Sequence, residues 1–506
     1  MKRRVFLEGF PKLFAIPRFS RLKRLDLSRS WMQRNHWHNV LTQIVNSSPL
    51  DELNLCEADL NEVEIDLLGV AISNAKIVNV SALHNLDWIP VFKKISNSTI
   101  LEEIDLSENF LPLIPTDLFI KTLSRLRKVE LNDSLVTGEQ LRGLLDCVRV
   151  TGTKLSANMV CENIHQTPLH LTTAFSRLYK TYLYLEDYTD FTPAVWKSVL
   201  TSLASSPIME DLTIDGISIN LVDVESSLLA NSLSRLNTLK LSGVELTQEQ
   251  WSKLFQQLVM SGLSSDLSLC MVNLASIPIQ ILVPALSSRS KLSLEYAVLT
   301  TDQWTQLLSS CTSSTRLNHV RFAHVNLTEV PVHLISRVIN LTQTADISGT
   351  GLTHSQVDQI LSNLTKSSSL RELNLQGVNL SQVSCEVLAK AVVSLAKVSL
   401  RKTKLTTKQC TAVFATNLGS TKLRDLDVSN VNLSEVDADL LSMSLTRLRD
   451  VDLTCTWLTK NQVARFAQQI MKFTRLEYLK LQSITATLLT PEMKQNIQQN
   501  MKILIF

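Results

Sequence analysis

Apolar residues recur along this chain in two alternating rhythms. One has the form L-x-x-L-x-L, placing leucine, isoleucine or valine at alternate positions, the period of a strand with one buried face. The other recurs at i, i+3, i+4 and i+7, as in Val357, Ile360, Leu361 and Leu364, and predicts an amphipathic helix. Clear copies of the first are Leu370-x-x-Leu373-x-Leu375 with Leu380, Leu423-x-x-Leu426-x-Val428 with Leu433, and Leu448-x-x-Val451-x-Leu453 with Leu458. Its first position falls at 22, 50, 75, 101, 126, 150, 180, 209, 236, 264, 289, 317, 342, 370, 395, 423, 448 and 476, which makes about 18 repeats.

From 264 onward the spacings alternate between 25 and 28 residues, so the larger unit is 53 (317 to 370, 370 to 423, 423 to 476). The longer kind carries Thr-x-x-Gln ahead of its helix: Thr137 with Gln140, Thr247 with Gln250, Thr300 with Gln303, Thr353 with Gln356, Thr406 with Gln409, and Thr459 with Gln462. That is a capping box, in which the threonine oxygen and the glutamine each satisfy a backbone N–H that the first helical turn leaves free. The shorter kind reads Leu-Ser/Thr-x-Val, as in Leu327-Thr328-Glu329-Val330 and Leu433-Ser434-Glu435-Val436, ahead of a helix about one turn shorter.

A chain of 506 residues exceeds the roughly 250 to 300 that one globular core supports. A repeat stack escapes the limit because every repeat touches only its neighbours. The expectation is an α/β leucine-rich-repeat solenoid, a curved horseshoe with a parallel β-sheet on the concave face and helices on the convex face. It would comprise a short, poorly capped segment at 1–21, one repeat domain at 22–500 and a terminal strand at 501–506. The alternation of strand and true helix resembles ribonuclease inhibitor and the repeat domains of NOD-like receptors. That resemblance implies protein binding on the sheet and no catalysis. One position departs from the family pattern: the residue expected to be Asn or Cys is Val325, Val378 or Val431 in one kind of repeat and Thr350, Thr403, Thr456 or Ala297 in the other. Valine cannot hydrogen-bond, so the turn must satisfy its backbone differently.

Net charge is +3, too small for a nucleic-acid or anionic-membrane footprint, and no apolar run reaches transmembrane length. Eight cysteines stand singly, which points to reduced thiols and a cytoplasmic location. Cys385 and Cys410 fall on helical stretches as small buried hydrophobes. Sequons such as Asn326-Leu327-Thr328 and Asn432-Leu433-Ser434 occupy one fixed place in the repeat and read as turn chemistry. The first predicted strand starts about twenty residues in, and Met501–Phe506 falls on the next strand marker. Uncapped ends of this kind invite self-association.

Candidate chemistry lies on the strand positions that alternate outward, above all the fifth of each repeat, running from Asp26 and Asn54 through Lys154, Tyr184 and Thr213 to Asp427, Asp452 and Lys480. Two groups stand out. Asp425 and Asp427 fall beside Asp450 and Asp452, where like charges repel by roughly 0.8 kcal/mol per pair in water and a basic partner would relieve them. The bland alternative is that Arg424 and Arg449 neutralise the group. Tyr182, Tyr184, Glu186, Asp187 and Tyr188 lie where the spacing is least regular, between 126 and 236, and tyrosines beside acids anchor protein partners. The alternative there is mutual packing that patches a lengthened repeat. No phosphate loop, metal motif or nucleophile motif is present, and His319 and His324 read as ordinary exposed positions. The reading is a non-catalytic scaffold or sensor that needs no cofactor or metal and holds a protein partner on the concave sheet. The alternatives are a GTPase-activating leucine-rich-repeat protein and the ligand-sensing portion of a larger NOD-like receptor.

Overall fold

A computed structural model describes residues 5–6, 23–28, 30, 32–60, 63–83, 86–151, 154–160, 178–185, 192–206, 208–216, 219–263, 265–314, 316–364, 369–472, 475–476, 478–481 and 503–505. The chain forms two compact units, Met1–Ile217 with Asp223–Leu236, and Ser218–Val222 with Asn237–Phe506. Each is a run of α/β leucine-rich repeats. In the first, parallel strands lead from Arg24–Asp26 through Leu50–Asn54, Ala75–Asn79, Glu103–Asp105, Lys128–Leu131, Lys154–Val160 and Leu178–Leu185 to Asp211–Gly216. A further short strand, Val5–Phe6, pairs with Leu25–Asp26 ahead of the first predicted repeat. In the second, they lead from Thr238–Ser242 and Asp266–Cys270 through Lys291–Ser293 and its successors to Tyr478–Leu481 and Ile503–Ile505.

The apolar positions of strand and helix meet between the two layers. Leu373, Leu375 and Leu380 are buried with Val357, Ile360 and Leu361, each full burial contributing about 1.5–3 kcal/mol. Helix length follows the repeat kind. Helices begun by Thr-x-x-Gln, such as Gln248–Ser261 and Thr301–Cys311, run 14 and 11 residues, whereas Ser226–Leu233 and Ala438–Leu445 run 8.

The glutamine of the box reaches further than its own helix. In Thr300/Gln303, the Gln303 N–H donates to Thr300 Oγ1 (3.2 Å) and the Thr300 N–H to Gln303 Oε1 (2.8 Å). The Gln303 Nε2 then donates to the carbonyls of Leu274 (3.0 Å) and Ile277 (2.8 Å) in the preceding repeat. Gln140, Gln250, Gln356, Gln409 and Gln462 do the same toward the repeats before them, ending for instance on Ile114, Leu221, Val330, Val383 and Val436. Five of these glutamines are almost fully buried, so the amide sits where an unmade bond is costly. A second tie covers helix C-termini. Buried Arg289 donates to the carbonyl of Leu258 at the end of the previous helix (3.1 Å), and Arg125, Arg235 and Arg447 make equivalent bonds to Ser98, Ala204 and Leu418. Burial lowers the Arg289 pKa to about 10, still well above neutrality, so the charge facing those carbonyls is retained.

The turn that lacks its asparagine is satisfied by backbone. After many of the described strands one residue takes a left-handed conformation, among them Tyr296, His324, Lys402 and Asn430, and its N–H donates to the next repeat, as from His324 to Ser348 O (2.8 Å). The following residue closes a tight turn: Val378 N–H donates to Leu375 O and Val431 N–H to Val428 O. Valine at this place is buried, so it exchanges a side-chain bond for apolar contact. Thr403 Oγ1 donates to Leu400 O, and Asn109 does what the family pattern leads one to expect, donating to Val80 O (2.8 Å) while accepting from Leu83 N–H. The sequon asparagines make turns: Asn326 Oδ1 accepts from Thr328 N–H and Oγ1, and Asn432 Oδ1 from Ser434 N–H and Oγ.

Replacing Gln303 by alanine strips the Thr300 N–H of its side-chain acceptor and removes a donor from the carbonyls of Leu274, Ala275 and Ile277 in a largely buried interface. Gln303→Ala is expected to lower stability by about 2–4 kcal/mol, against at most ~0.5 kcal/mol for exposed Gln306→Ala. Equal unfolding midpoints for the two variants in urea would remove the inter-repeat role.

Candidate functional site

In the second unit the outward sheet positions enclose a concavity of ≈ 640 Å³, lined by strands from that of Lys240 to that of Ser399. Short strands explain it: three-residue stretches such as Lys291–Ser293 bury only their central leucine or valine and turn both neighbours outward. Several of its charges are paired and partly exposed. Arg321 lies 3.7 Å from Glu295 and 3.5 Å from Asp346, and Lys291 lies 3.6 Å from Asp266. Asn374 donates to Asp346 Oδ2 (3.0 Å). His319 is half-buried here, its Nδ1 2.7 Å from Thr344 Oγ1.

The fifth position has a structural task of its own. Asp346, Asn374, Asp427 and Asp452 each accept, through Oδ1, the N–H two residues ahead, fixing the bend that follows the strand. A carboxylate there is therefore partly spent on the turn.

The four aspartates come together in register, Asp425 opposite Asp450 and Asp427 opposite Asp452. Arg449 supplies the neutralising cation, lying 3.0 Å from both Asp425 and Asp450. Asp427 Oδ2 accepts from Ser399 Oγ (2.9 Å), and Lys480 lies 3.7 Å from Asp452. Asp425 Oδ1 is buried without a hydrogen-bond partner among the described residues. Burial first, and the neighbouring Asp450 second, raise its pKa above the ordinary carboxylate value, with Arg449 and Lys397 opposing.

Around the irregular spacing, the register differs from the sequence expectation. Lys154 pairs with Lys128, and Ser156 is the residue opposite Glu130, so the fifth place falls two residues later than the spacing implies; toward the following strand the pairing of Lys154–Val160 shifts between Leu155 and Ser156. Tyr182 is in register with Thr213, the fifth-position residue of its repeat, and Tyr184 with Asp215. Glu186, Asp187 and Tyr188 lie outside the described residues. Sequence reasoning passed over Tyr179, whose hydroxyl lies 3.3 Å from Glu130 Oε1 and whose ring lies 5.7 Å from Lys128 Nζ. Burial and then the Glu130 charge raise its pKa, while Lys128 is raised by Glu130 and Tyr179 against the opposing effect of its own burial. The only signal was its place in a tyrosine-rich strand.

Two other expectations are modified. Cys410 is buried and its thiol is pushed up to about 11, yet Cys385, at the first turn of its helix, is half-exposed. His324 is exposed but stacked on Tyr296, with ring centroids 4.4 Å apart and planes 7° apart. The two residues stand 28 apart in sequence and share one turn position in consecutive repeats.

Among the described residues, no His/Cys/Asp/Glu group could hold a metal ion, and no helix is long and apolar enough to cross a membrane. Residues 291–416, which include most of the strands around the concavity, match the model of the PRAME C-terminal domain. No curated protein matches the chain. Among solved structures it is similar to one titled "Crystal structure of TLR13-ssRNA13 complex", with 16% identity and a TM-score of 0.35 over 93% of this chain. The match spans 57% of that protein.

The raised Asp425 pKa has a definite sign. The folded state binds this proton more tightly than the unfolded chain, so the benefit is complete in acid and is lost as pH rises through the folded value. Asp425→Asn, which keeps an acceptor for Arg449, is expected to be more stable than wild type at pH 7. That advantage should disappear below the ordinary carboxylate range. Denaturation midpoints at pH 3.5 and pH 7 check this, and a wild type more stable than the variant at pH 7 contradicts it.

Proposed function

We propose that this chain is a non-catalytic protein-interaction scaffold or sensor module of the ribonuclease-inhibitor-like kind, working in the cytoplasm and holding a partner protein against its sheet. The concavity from Lys240 to Ser399 carries the reading. It is broad and open, its charged side chains, some of them paired, are accessible, and they belong to consecutive strands rather than converging on one reacting atom. Such a surface offers many weak polar contacts over a wide area, the condition for recognising a folded protein. The alternation of longer and shorter helices supports the ribonuclease-inhibitor-like assignment. Leucine-rich repeats as a class fit the binding role.

Beside the concavity, the aspartate group makes a basic segment the partner chemistry of choice at that end, the partner's cations joining or replacing Arg449 on Asp425 and Asp450. In the first unit the strand carrying Tyr182 and Tyr184, with Glu186, Asp187 and Tyr188 after it, is the second candidate contact.

Affinity capture with crosslinking from native lysate tests the reading with three variants: Ser293→Trp, which fills the floor of the concavity; Asp425→Asn/Asp427→Asn/Asp450→Asn/Asp452→Asn, which removes charge while keeping the turn acceptors; and Tyr182→Ala/Tyr184→Ala. At least a tenfold loss of the crosslinked species is expected for Ser293→Trp, with circular dichroism unchanged. Capture undiminished in all three would overturn the sheet as the binding face, and undiminished capture by the tyrosine pair alone would remove that contact.

A further inference from the structure

In the shorter repeats of the second unit the tenth position, just past the left-handed turn, is always asparagine. Asn273, Asn326, Asn379 and Asn432 each accept, through Oδ1, the N–H two residues ahead. In the first unit Phe110 holds this place, and the residue two ahead is Pro112, which has no N–H to offer. The turn therefore makes no demand on the side chain at 110, and an aromatic ring stands there 55% exposed. Phe110 is bridged in parallel to Leu135, the tenth residue of the next repeat, which is 61% exposed, and Leu113, three residues on, is 74% exposed. The backbone beneath them is fixed. Leu111 N–H donates to Leu135 O (3.0 Å) and Leu135 N–H to Asn109 O (2.9 Å), while the buried Asn109 amide holds the carbonyls of Val80 and Leu106 (both 2.8 Å). Apolar side chains grouped in solvent on a rigid support mark an interaction surface.

The charge around them has one sign. From Ile104 to Ile120 and from Val129 to Leu141 the chain carries six acidic residues and no lysine, arginine or histidine. Glu108 and Asp133 take the left-handed turn positions ahead of Phe110 and Leu135, Asp117 and Glu139 lie in the helical turns that follow, and all four are exposed. The same turn position in the second unit holds Met271, Tyr296, His324, Gly349, Gly377 and Lys402, none of them acidic.

We propose that Phe110, Leu113 and Leu135 dock a cationic amphipathic helix of a protein partner, its apolar side on these three residues and its lysines or arginines toward Glu108, Asp117, Asp133 and Glu139. An added strand would look for open backbone groups, and those of Leu111 and Leu135 are already engaged across the pair. A helix satisfies its own backbone and brings only side chains to the surface. The aromatic and the leucines supply anchoring area, and the acids set which partner approaches and in what orientation. The same acids repel an anionic lipid surface or a nucleic acid. This site lies past the strand ends of the first unit, so it goes beyond the concave-face reading and stands or falls separately from it.

The test is fluorescence anisotropy of the full chain with a fluorescein-labelled helical peptide, Leu-Lys-Lys-Leu-Leu-Lys-Leu written twice. Saturable binding is expected, and the same peptide with glutamate for every lysine should bind at least tenfold more weakly. Phe110→Asn/Leu135→Lys puts at both places residues that the fold already carries there, at Asn432 and Lys404, and should weaken binding at least tenfold with circular dichroism unchanged. Glu108→Gln/Asp117→Asn/Asp133→Asn/Glu139→Gln, which leaves the apolar residues in place, should do the same. Asp425→Asn/Asp427→Asn/Asp450→Asn/Asp452→Asn should leave the affinity as it is. Absence of saturable binding, binding indifferent to either of the first two variants, or binding lost only in the last overturns the proposal. Two further results also overturn it by naming another occupant: vesicles of phosphatidylcholine and phosphatidylserine that bind wild type and not Phe110→Asn/Leu135→Lys, or a wild-type dimer in sedimentation that the same variant dissociates. None of these outcomes depends on capture by Ser293→Trp, so this surface can fail while the concave face stands.

Discussion

Backbone polar groups at the junction between strand and helix recur in every repeat and are too buried for water to serve, and the rest of the structure is arranged around satisfying them. In the longer repeats one glutamine does most of this. Its carbonyl oxygen caps its own helix and its amide nitrogen reaches the carbonyls of the repeat before, so Gln303 ties Thr300 to Leu274 and Ile277 at once. The bond is worth only about a kilocalorie net when made, but leaving buried carbonyls bare costs more. A repeat in register with its neighbour is thereby favoured over one that slips. Arg289 and its equivalents settle the other end of the preceding helices in the same way.

That arrangement frees the sheet face. Since helix caps, left-handed turns and arginines carry the inter-repeat bonds, the outward strand positions need only remain soluble and close the bend after the strand. Aspartate, asparagine and serine meet that need, and they populate the fifth column for this reason. Charges such as Arg321 and Asp346 sit among them, paired but half-open to solvent, where surface ion pairs contribute little to stability. They can be exchanged for a partner's groups at small cost. The four aspartates are the exception: Asp425 has one oxygen buried and a like charge opposite, a repulsion that Arg449 and Lys397 oppose without cancelling the rise in its pKa.

The repeat architecture, the two kinds of repeat and the column membership of most outward residues were legible in the amino-acid order. Leucine spacing states which side of a strand is buried, and Thr-x-x-Gln states where a helix starts; both are local rules. The same rules located the aspartate group and explained the sequon asparagines. They failed at Lys154, where the pairing with Lys128–Leu131 puts Ser156 opposite Glu130, since pairing register depends on the neighbouring strand.

The sequence by itself thus determined a stack of strand–helix repeats and the side of it that faces outward. Only tertiary structure decided what consecutive repeats do to one another. It sent a capping glutamine back to the previous repeat, tied Arg289 to the end of the previous helix and laid His324 on Tyr296. The physical reason is separation: these contacts join residues about 25 to 30 apart, a distance set by the alternating repeat lengths, and nothing in local propensity or periodicity carries the identity of the neighbour across it.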